Sequence, residues 1–323
     1  MAATLVIFGL PLGESLRLIV DGAAGDKFGI ARTLIAAIPL ILASLGIVIA
    51  WRAGMYNIGG EGQYIVGGLT GAVIASMVPG LPPQALNLAI LFSGIVGGAL
   101  YGALAGWLQV HRGVQVVIST ILMNFIALQL LSWAVTGPLQ EPNRALPQTA
   151  ALPTGAMLMR FDPQTDLHAG IFIAVLAAVA VYVYLFRTRR GFELRVVGEN
   201  PRAARANLIN APRTQIFAML ISGGLCGLAG AVQYTGVQRE LSMSFSEQWG
   251  FIAIPVALLG MLHPLGIVLS SLYFGALMAG AKNLERFTPG ASAMVYVIQA
   301  LAVLALLTVQ TLALRRRIRE EAA

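Results

Sequence analysis

The sequence has 323 residues, of which 57% are hydrophobic and only 11% are charged, whereas an average soluble domain carries about 25% charged residues. A chain this long could bury a large core, but it lacks the charged residues that a water-exposed surface requires, which excludes an ordinary soluble protein. Its 36 Gly and 15 Pro are a bias that membrane helices tolerate. The composition therefore predicts an all-α membrane protein.

The formal net charge of +7 comes largely from two arginine clusters. Eleven of the 21 Lys and Arg residues lie in segments 187–213 and 315–319. Clusters of this kind are typical of segments retained in the cytoplasm, so we predict a membrane protein without a nucleic-acid partner. The single Cys226 cannot form an intrachain disulfide, and the N-terminus lacks the positive region of a cleaved signal peptide.

Charge-free runs mark the candidate membrane spans, because about 20 apolar residues cross a hydrocarbon core of about 30 Å. Segment 4–20 is interrupted by Glu14 and Arg17, so it is either a short or tilted span or an interfacial helix. Segment 250–262 is below normal length and is either a span or a re-entrant or broken helix. The nine charge-free runs are 33–50, 63–79, 86–110, 114–135, 169–186, 214–235, 250–262, 264–281 and 291–314, and 4–20 is the tenth candidate segment.

These runs predict one transmembrane domain over residues 1–323, a polytopic bundle of about ten helices. Short or broken helices are expected near 51–63 and 250–264. If the basic loop 187–213 faces the cytoplasm, the alternation of spans places 136–167 outside and the C-terminus inside.

Small residues recur every four positions on three of the predicted spans. Such stripes let helix backbones approach closely in lipid, so they predict packing seams rather than ligand sites. The stripes are Gly94, Gly98, Gly102 and Gly106; Gly67, Gly71 and Ala75; and Gly223, Gly227 and Ala231.

Two polar features lie within the apolar segments. Residues 52–63, RAGMYNIGGEGQ, are either an unwound segment whose backbone binds a polar solute or a tight interfacial turn. Asn124 lies near the middle of its span, where an amide either lines an aqueous path or forms an interhelical hydrogen bond. The residues alone leave both alternatives open.

The basic loop contains a predicted short helix. Asn200 suits the N-cap position, Pro201 suits the first helical position, and the alanines that follow favour helix. Because so short a helix is unstable alone in water, the pattern favours a docking element over a purely topogenic loop.

Motifs of catalysis are absent from the sequence. A phosphate loop needs Gly-Lys followed by Ser or Thr, but the only lysines, Lys27 and Lys282, are followed by Phe and Asn. Three His, one Cys and no paired carboxylates within an apolar run suggest no metal site, cofactor or hydrolytic triad. We therefore predict a protein that is not an enzyme.

Three ordered motifs resemble the permease subunits of bacterial ABC importers of the nucleoside and simple-sugar group, related to branched-chain amino acid and ribose permeases. They are RAGMYNIGGEGQ at 52–63, VVISTILMNFIA at 116–127 and RGFELRVVGENPRAA at 190–204, and a glycine-rich run at 222–231 follows in register. The resemblance covers residues 30–281. Gln115 departs from it, because relatives often carry Glu there.

The resemblance implies a subunit that moves a nucleoside or related sugar-containing solute through the bacterial inner membrane. It implies a separate cytoplasmic ATPase, a second permease subunit for which a paralogue is favoured, and an extracytoplasmic solute-binding protein. One alternative keeps the fold and moves a monosaccharide or another small polar solute. An alternative of another class is a stand-alone secondary transporter, which would need an ionisable pair in mid-membrane.

The resemblance also implies roles for particular residues. The candidates near the solute path are Asn57, Glu61, Gln63 and Asn124. The candidates for ATPase coupling surround a coupling helix at 200–208, and they are Arg195, Gly198, Glu199, Asn200, Arg202, Ala203, Ala204 and Arg205.

Overall fold

A computed structural model of the chain describes residues 12–285 and six single positions between 297 and 308. Within this part all regular secondary structure is helical, and β-pairing is limited to isolated bridges. The α-helices are α1 (Leu12–Val20), α2 (Lys27–Arg52), α3 (Gly60–Met77), α4 (Pro83–Arg112), α5 (Val116–Thr136), α6 (Gly170–Arg187), α7 (Arg189–Glu199), α8 (Pro201–Ala206), α9 (Ala211–Gln233), α10 (Trp249–Leu259) and α11 (Pro264–Glu285).

Six of these helices, α2, α4, α5, α6, α9 and α11, are long and apolar enough to cross a membrane. Segment 63–79 is helical as α3, but its polar and Gly-rich first turns lower its hydropathy. Segment 250–262 contains α10, whose 11 residues span only about 16 Å at 1.5 Å per residue. Residues 4–11 and most of 291–314 lie outside the described residues, and residues 12–20 form the nine-residue helix α1.

Both predicted helix breaks are confirmed. Helix α2 ends at Arg52 and α3 begins at Gly60, so the intervening segment is not helical. Helix α10 ends at Leu259, and the turn that follows holds Met261 and Leu262 at φ of 55° and 51°. Such left-handed backbone is uncommon for residues with side chains.

The chain divides into two compact units, residues 37–271 and the two terminal segments together. In the larger unit, every residue from 37 to 50 of α2 is buried, which is expected of a helix that is hydrophobic on all sides. In the smaller unit, the Asn283 amide donates a hydrogen bond of 2.8 Å to the Leu18 carbonyl, and Ile19 and Leu284 pack together.

The predicted glycine seams are confirmed where α4 meets α9. A Cβ atom at Gly98 would collide with the carbonyl oxygen of Gly223, and one at Gly227 would collide with that of Gly94. The α3 stripe also contacts α9, because a Cβ at Gly67 would strike the backbone of Gly227. Helices α3, α4 and α9 therefore pack backbone against backbone, as small residues allow where lipid provides no hydrophobic drive.

Segment 137–169 folds over one end of the larger unit through isolated bridges, which join Gln148 to Ser242 and Arg160 to His168. The His168 ring is only 1% exposed, and its Nδ1 accepts a hydrogen bond of 3.1 Å from the Gly170 amide. Burial and, to a smaller extent, the positive charge of Arg160 lower the pKa of His168 to about 4, against a still smaller opposite effect of Asp166.

We expect His168 to make the protein less stable in acid. The neutral ring fits the folded state, so between the ordinary pKa of about 6.5 and the folded value of about 4 only the unfolded chain binds the proton. The free energy of unfolding should therefore fall by up to about 3 kcal/mol as the pH drops through this range. Thermal unfolding of wild type and H168N at pH 7 and pH 4.5 measures the difference.

The exposed His111 provides the control for this prediction. H168N should show a shallower dependence of stability on pH than wild type, whereas H111N should follow the wild-type curve. An acid-induced loss of stability that is as steep in H168N as in wild type would contradict the assignment.

Candidate functional site

The break between α2 and α3 is shaped by its own backbone. Gly54 adopts a φ of 74°, which glycine reaches without the steric cost of a side chain. The Met55 amide donates a hydrogen bond of 2.9 Å to the Ala50 carbonyl. The Asn57 Oδ1 accepts a bond of 2.8 Å from the Gly59 amide, so Asn57 fixes the entry into α3.

Asn57 is also the centre of a buried amide network. Its Nδ2 donates to the Gln63 Oε1 and to the Ser222 Oγ, both at 2.9 Å. The Gln63 Nε2 donates back to the Asn57 Oδ1 at 3.2 Å. The three side chains are at most 2% exposed, so their polar groups are satisfied by one another rather than by water.

Asn124 connects α5 to the same break through two hydrogen bonds. Its Oδ1 accepts a bond of 2.8 Å from the Gly62 amide, and its Nδ2 donates to the Ile58 carbonyl at 3.0 Å. The Thr120 hydroxyl, one turn earlier on α5, accepts from the Ile58 amide at 3.2 Å. Backbone groups that the break leaves without helical partners are thus paired by α5 side chains.

Glu61 links the first turn of α3 to the start of α10. Its Oε1 accepts from the Ser246 hydroxyl at 2.8 Å and its Oε2 accepts from the Gly250 amide at 2.7 Å. A Cβ at Gly250 would collide with the Glu61 amide, so the two backbones are in direct contact. A carboxylate beside the first turn of α10 also complements the positive end of that helix.

The structure therefore brings together all four residues that the sequence predicted near a solute path. Asn57, Glu61, Gln63 and Asn124 are each 0–2% exposed, and their partners lie on α3, α9 and α10, in the break before α3, and just before α10. Their contact with a solute stays a prediction. The sequence reasoning missed the hydroxyl partners Ser222 and Ser246, because single serines among small residues give no signal of their own.

The predicted short helix in the basic loop is confirmed as α8. The Asn200 Oδ1 accepts from the amides of Arg202 and Ala203 at 3.0 and 3.1 Å, and Pro201 occupies the first turn. Ala204 is fully buried with Val197 of α7 and Ala211. Helix α8 thus packs one face on its own chain, as expected of a helix too short to be stable alone.

The opposite face of this loop points away from the chain. Arg202 and Arg205 are exposed, and Leu208, just after α8, is 95% exposed with a φ of 58°. Arg195 lies on the inner side, with its guanidinium 5.2 Å from the centre of the Phe186 ring. The predicted coupling residues therefore divide into an inner group and an outer group.

The inner side of α7 touches the break after α2. A Cβ at Gly198 would collide with the Arg52 carbonyl oxygen, and a Cβ at Gly54 would lie 3.5 Å from the Gly198 Cα. Only glycine at position 198 allows this approach of two backbones. The basic loop and the Gly-rich break are therefore in direct contact.

Arg52 extends this contact to a third element. Its Nε and Nη2 donate to the Leu262 carbonyl at 3.2 and 3.1 Å, within the strained turn between α10 and α11. The end of α2, the end of α7 and this turn thus meet at Arg52, and the sequence reasoning did not anticipate the contact. Within residues 12–285 no three His, Cys, Asp or Glu side chains lie close enough together to hold a metal ion.

The sequence matches known transport proteins over most of its length. Residues 29–307 match the family described as branched-chain amino acid transport system, permease component. A glucose ABC transporter permease protein of Haloferax volcanii is 35% identical, with 88% of this chain and 77% of that protein aligned. A guanosine ABC transporter permease protein of Bacillus subtilis is 31% identical, with 94% and 88% aligned.

A nucleoside ABC transporter permease protein of Lactococcus lactis is also 31% identical, with 87% of this chain and 83% of that protein aligned. Each of these three organisms has a second permease protein, with the same solute in its name, that also matches this chain.

Proposed function

The chain belongs to the permease component family of branched-chain amino acid transport systems, and from that premise we propose that its solute is a nucleoside or a related sugar-containing molecule. It is a permease subunit of an ABC importer. Two of the three relatives described above carry a nucleoside or guanosine in their names, and the third carries glucose. A sugar ring is common to these solutes.

The second candidate is the same importer with a monosaccharide as its solute. The relative named for glucose, at 35% identity, supports it. The two candidates differ in the base attached to the sugar. Uptake of labelled guanosine by cells that express the importer, measured in competition with excess glucose or excess adenosine, separates them.

Our proposal expects adenosine to reduce guanosine uptake strongly and glucose to leave it unchanged. Glucose uptake that guanosine does not inhibit would favour the monosaccharide. Uptake of neither solute above the level of cells without the importer would contradict both candidates.

We further propose that this chain is one half of a translocation pathway. ATP hydrolysis is assigned to a separate cytoplasmic subunit, because the sequence has no phosphate loop. The second permease subunit is assigned to a paralogue, since each of the three organisms above has a pair of permeases. An extracytoplasmic binding protein would deliver the solute.

In this proposal residues 1–323 form one permease domain in the bacterial inner membrane, with about ten spans in total. The basic loop 187–213 and the C-terminus face the cytoplasm, because arginine-rich segments are retained there. Helix α10 and the break before α3 are the short and broken elements expected where irregular backbone is buried in protein.

The contact between Gly198 and Arg52 supports the assignment of α7 and α8 as the coupling element. Arg202, Arg205 and Leu208 would meet the ATPase, and Gly198 would pass its movement to the break before α3. Four buried polar side chains would stabilise the conformation of that break and in this way set the width of the solute path beside it. They are Asn57, Glu61, Gln63 and Asn124. Their role is positioning rather than recognition, because each is buried and paired.

Charge reversal on the outer face of the basic loop should detach the ATPase. Arg202 and Arg205 are exposed, so R202E/R205E should leave the permease folded. A reversed charge that meets a like charge in an interface costs several kcal/mol, so we expect the ATPase to bind about 100-fold more weakly or worse. The measurement is the amount of ATPase that copurifies with the tagged permease.

R144E provides the matched control, because Arg144 lies in the segment 137–169 that we place on the opposite side of the membrane. It should leave the copurified ATPase unchanged. If R202E/R205E retains as much ATPase as wild type, α8 is not the docking element.

A further inference from the structure

A basic cavity lies where the end of α6 and the start of α9 meet α7. Its volume is about 290 Å³. Arg190 of α7 and Arg213 of α9 line it, and Tyr184 near the end of α6 and Thr214 of α9 add hydroxyl groups. Four side chains that donate hydrogen bonds therefore surround one cavity.

The two arginines in this cavity are not neutralised by the chain. Within the described residues, neither the Arg190 nor the Arg213 guanidinium has a carboxylate at ion-pair distance. The cavity also contains Glu193, but its Oε1 is held by the Arg189 Nε at 2.9 Å. The lining residues therefore sum to one positive charge, and because Glu193 already has a partner in Arg189, both lining arginines are left to attract an anion.

The orientation of Arg190 is fixed by an aromatic ring. Its guanidinium lies 5.6 Å from the centre of the Phe217 ring on α9, an attractive cation–π arrangement. On the same helix, the Asn210 side chain caps the first turn by accepting from the Arg213 amide at 3.0 Å. Both arginines therefore project from ordered backbone into the cavity.

An apolar groove continues from this basic cavity along α9. The groove has a volume of about 360 Å³ and shares Asn210, Arg213 and Phe217 with the cavity. One wall is formed by Pro212, Ile216 and Leu220, which are spaced four residues apart and so lie on one face of the helix, and His111 at the end of α4 also lines the groove. The charged end and the apolar wall together match an amphiphile, whereas a free anion would use only the charged end.

We propose that this cavity and groove bind an anionic phospholipid, with the phosphate between Arg190 and Arg213 and an acyl chain along Ile216 and Leu220. Helices α6 and α9 are two of the six candidate spans, so their ends lie near the depth of lipid headgroups. Basic pockets between spans are suited to phosphate headgroups, and arginine forms bidentate hydrogen bonds with phosphate. The orientation proposed above would place this lipid site in the cytoplasmic leaflet. The lipid site itself does not depend on that orientation.

Native mass spectrometry of the whole importer complex tests the proposal. The complex is purified in detergent and titrated with phosphatidylglycerol or, separately, with phosphatidylcholine. Wild type should retain phosphatidylglycerol in preference to phosphatidylcholine, and R190Q/R213Q should lower the bound fraction of phosphatidylglycerol roughly tenfold. R190K/R213K keeps both charges, so it should retain most of the binding and exclude misfolding as the cause.

R17Q/R144Q is the matched control, because Arg17 and Arg144 are exposed, line neither the cavity nor the groove, and their removal lowers the charge equally. It should bind phosphatidylglycerol like wild type. Equal loss in R17Q/R144Q, or equal binding of phosphatidylcholine, would overturn the specific site. Displacement of the lipid by millimolar inorganic phosphate would overturn the role of the groove. Loss of the ATPase with unchanged lipid binding in R190Q/R213Q would reassign the arginines to a protein contact.

Discussion

Replacing Gly198 with alanine is expected to reduce ATP-driven uptake by about 5- to 150-fold, the range that corresponds to a coupling free energy of about 1–3 kcal/mol. A Cβ atom at this position would collide with the Arg52 carbonyl oxygen. That oxygen belongs to the backbone, so it cannot rotate away as a flexible side chain could. One of the two segments must shift.

The shift would matter because Arg52 joins three elements. Its guanidinium donates two hydrogen bonds, of 3.1 and 3.2 Å, to the Leu262 carbonyl. Its own carbonyl oxygen lies against Gly198. Separation of α7 from Arg52 would leave the ATPase attached to α8 but disconnected from the break and from the turn after α10. We therefore expect G198A complexes to hydrolyse ATP while uptake per ATP falls.

The measurement is solute uptake and ATP hydrolysis in the same proteoliposomes. G80A is the matched control, because a Cβ at Gly80, in the turn between α3 and α4, would meet nothing within 4 Å. Wild-type uptake per ATP in G198A would show that the contact does not transmit the movement of the ATPase.

Replacing Asn57 with leucine is expected to lower the free energy of unfolding by about 2–4 kcal/mol, because each buried polar group that loses its partner costs about 1–3 kcal/mol. The substitution removes the acceptor of the Gly59 amide and the partners of Gln63 and Ser222. Solute uptake should be lost as well, since the break before α3 would no longer be held in one conformation.

N87L is the comparison for this loss. Asn87 is a second buried asparagine, but its amide makes a single bond, of 2.7 Å, to the Ala156 carbonyl. Its replacement should cost about 1 kcal/mol. Urea or thermal unfolding of the purified proteins in detergent gives both values, and a loss in N57L no larger than in N87L would contradict the network.

The combination with Gln63 tests the network itself. Because Gln63 has already lost its partner in N57L, the double substitution N57L/Q63L should cost less than the sum of the single ones, by about 1 kcal/mol or more. Strictly additive losses would show that the two amides stabilise the protein independently.

Local patterns in the sequence were enough to predict several elements. The cap at Asn200 and the proline after it placed α8, because a helix start depends on neighbouring residues. The four-residue spacing of Gly94 and Gly98 predicted a close packing seam, since residues four apart share one face. The polar residues between 52 and 63 likewise marked a helix break.

Contacts between distant segments could not be predicted in the same way. The bond from Arg52 to Leu262 joins residues 210 positions apart, and the approach of Gly198 to Arg52 depends on how α7 folds back on α2. The sequence placed Asn57, Gln63 and Asn124 near a solute path but could not show which groups they bond to, and in the structure their polar groups pair with one another and with the backbone. A polar residue within an apolar segment gives the same sequence signal whether it binds a ligand or stabilises a helix break.

The number of spans illustrates the same limit. Hydropathy cannot distinguish a helix that crosses lipid from one that is enclosed by other helices. Helix α3 begins with polar residues that are all buried, and α10 is too short to cross the bilayer by itself. Their placement depends on the neighbours that enclose them.

We propose that this chain provides a pathway whose movement is driven, through α8, by ATP hydrolysis on another subunit. The most direct measurement is uptake of labelled guanosine into proteoliposomes that contain this chain and its permease partner, with and without the ATPase, ATP and the binding protein. Uptake should occur only when all components are present, and it should be lost in R202E/R205E. Uptake driven by an ion gradient without the ATPase would contradict the account and would identify a secondary transporter instead.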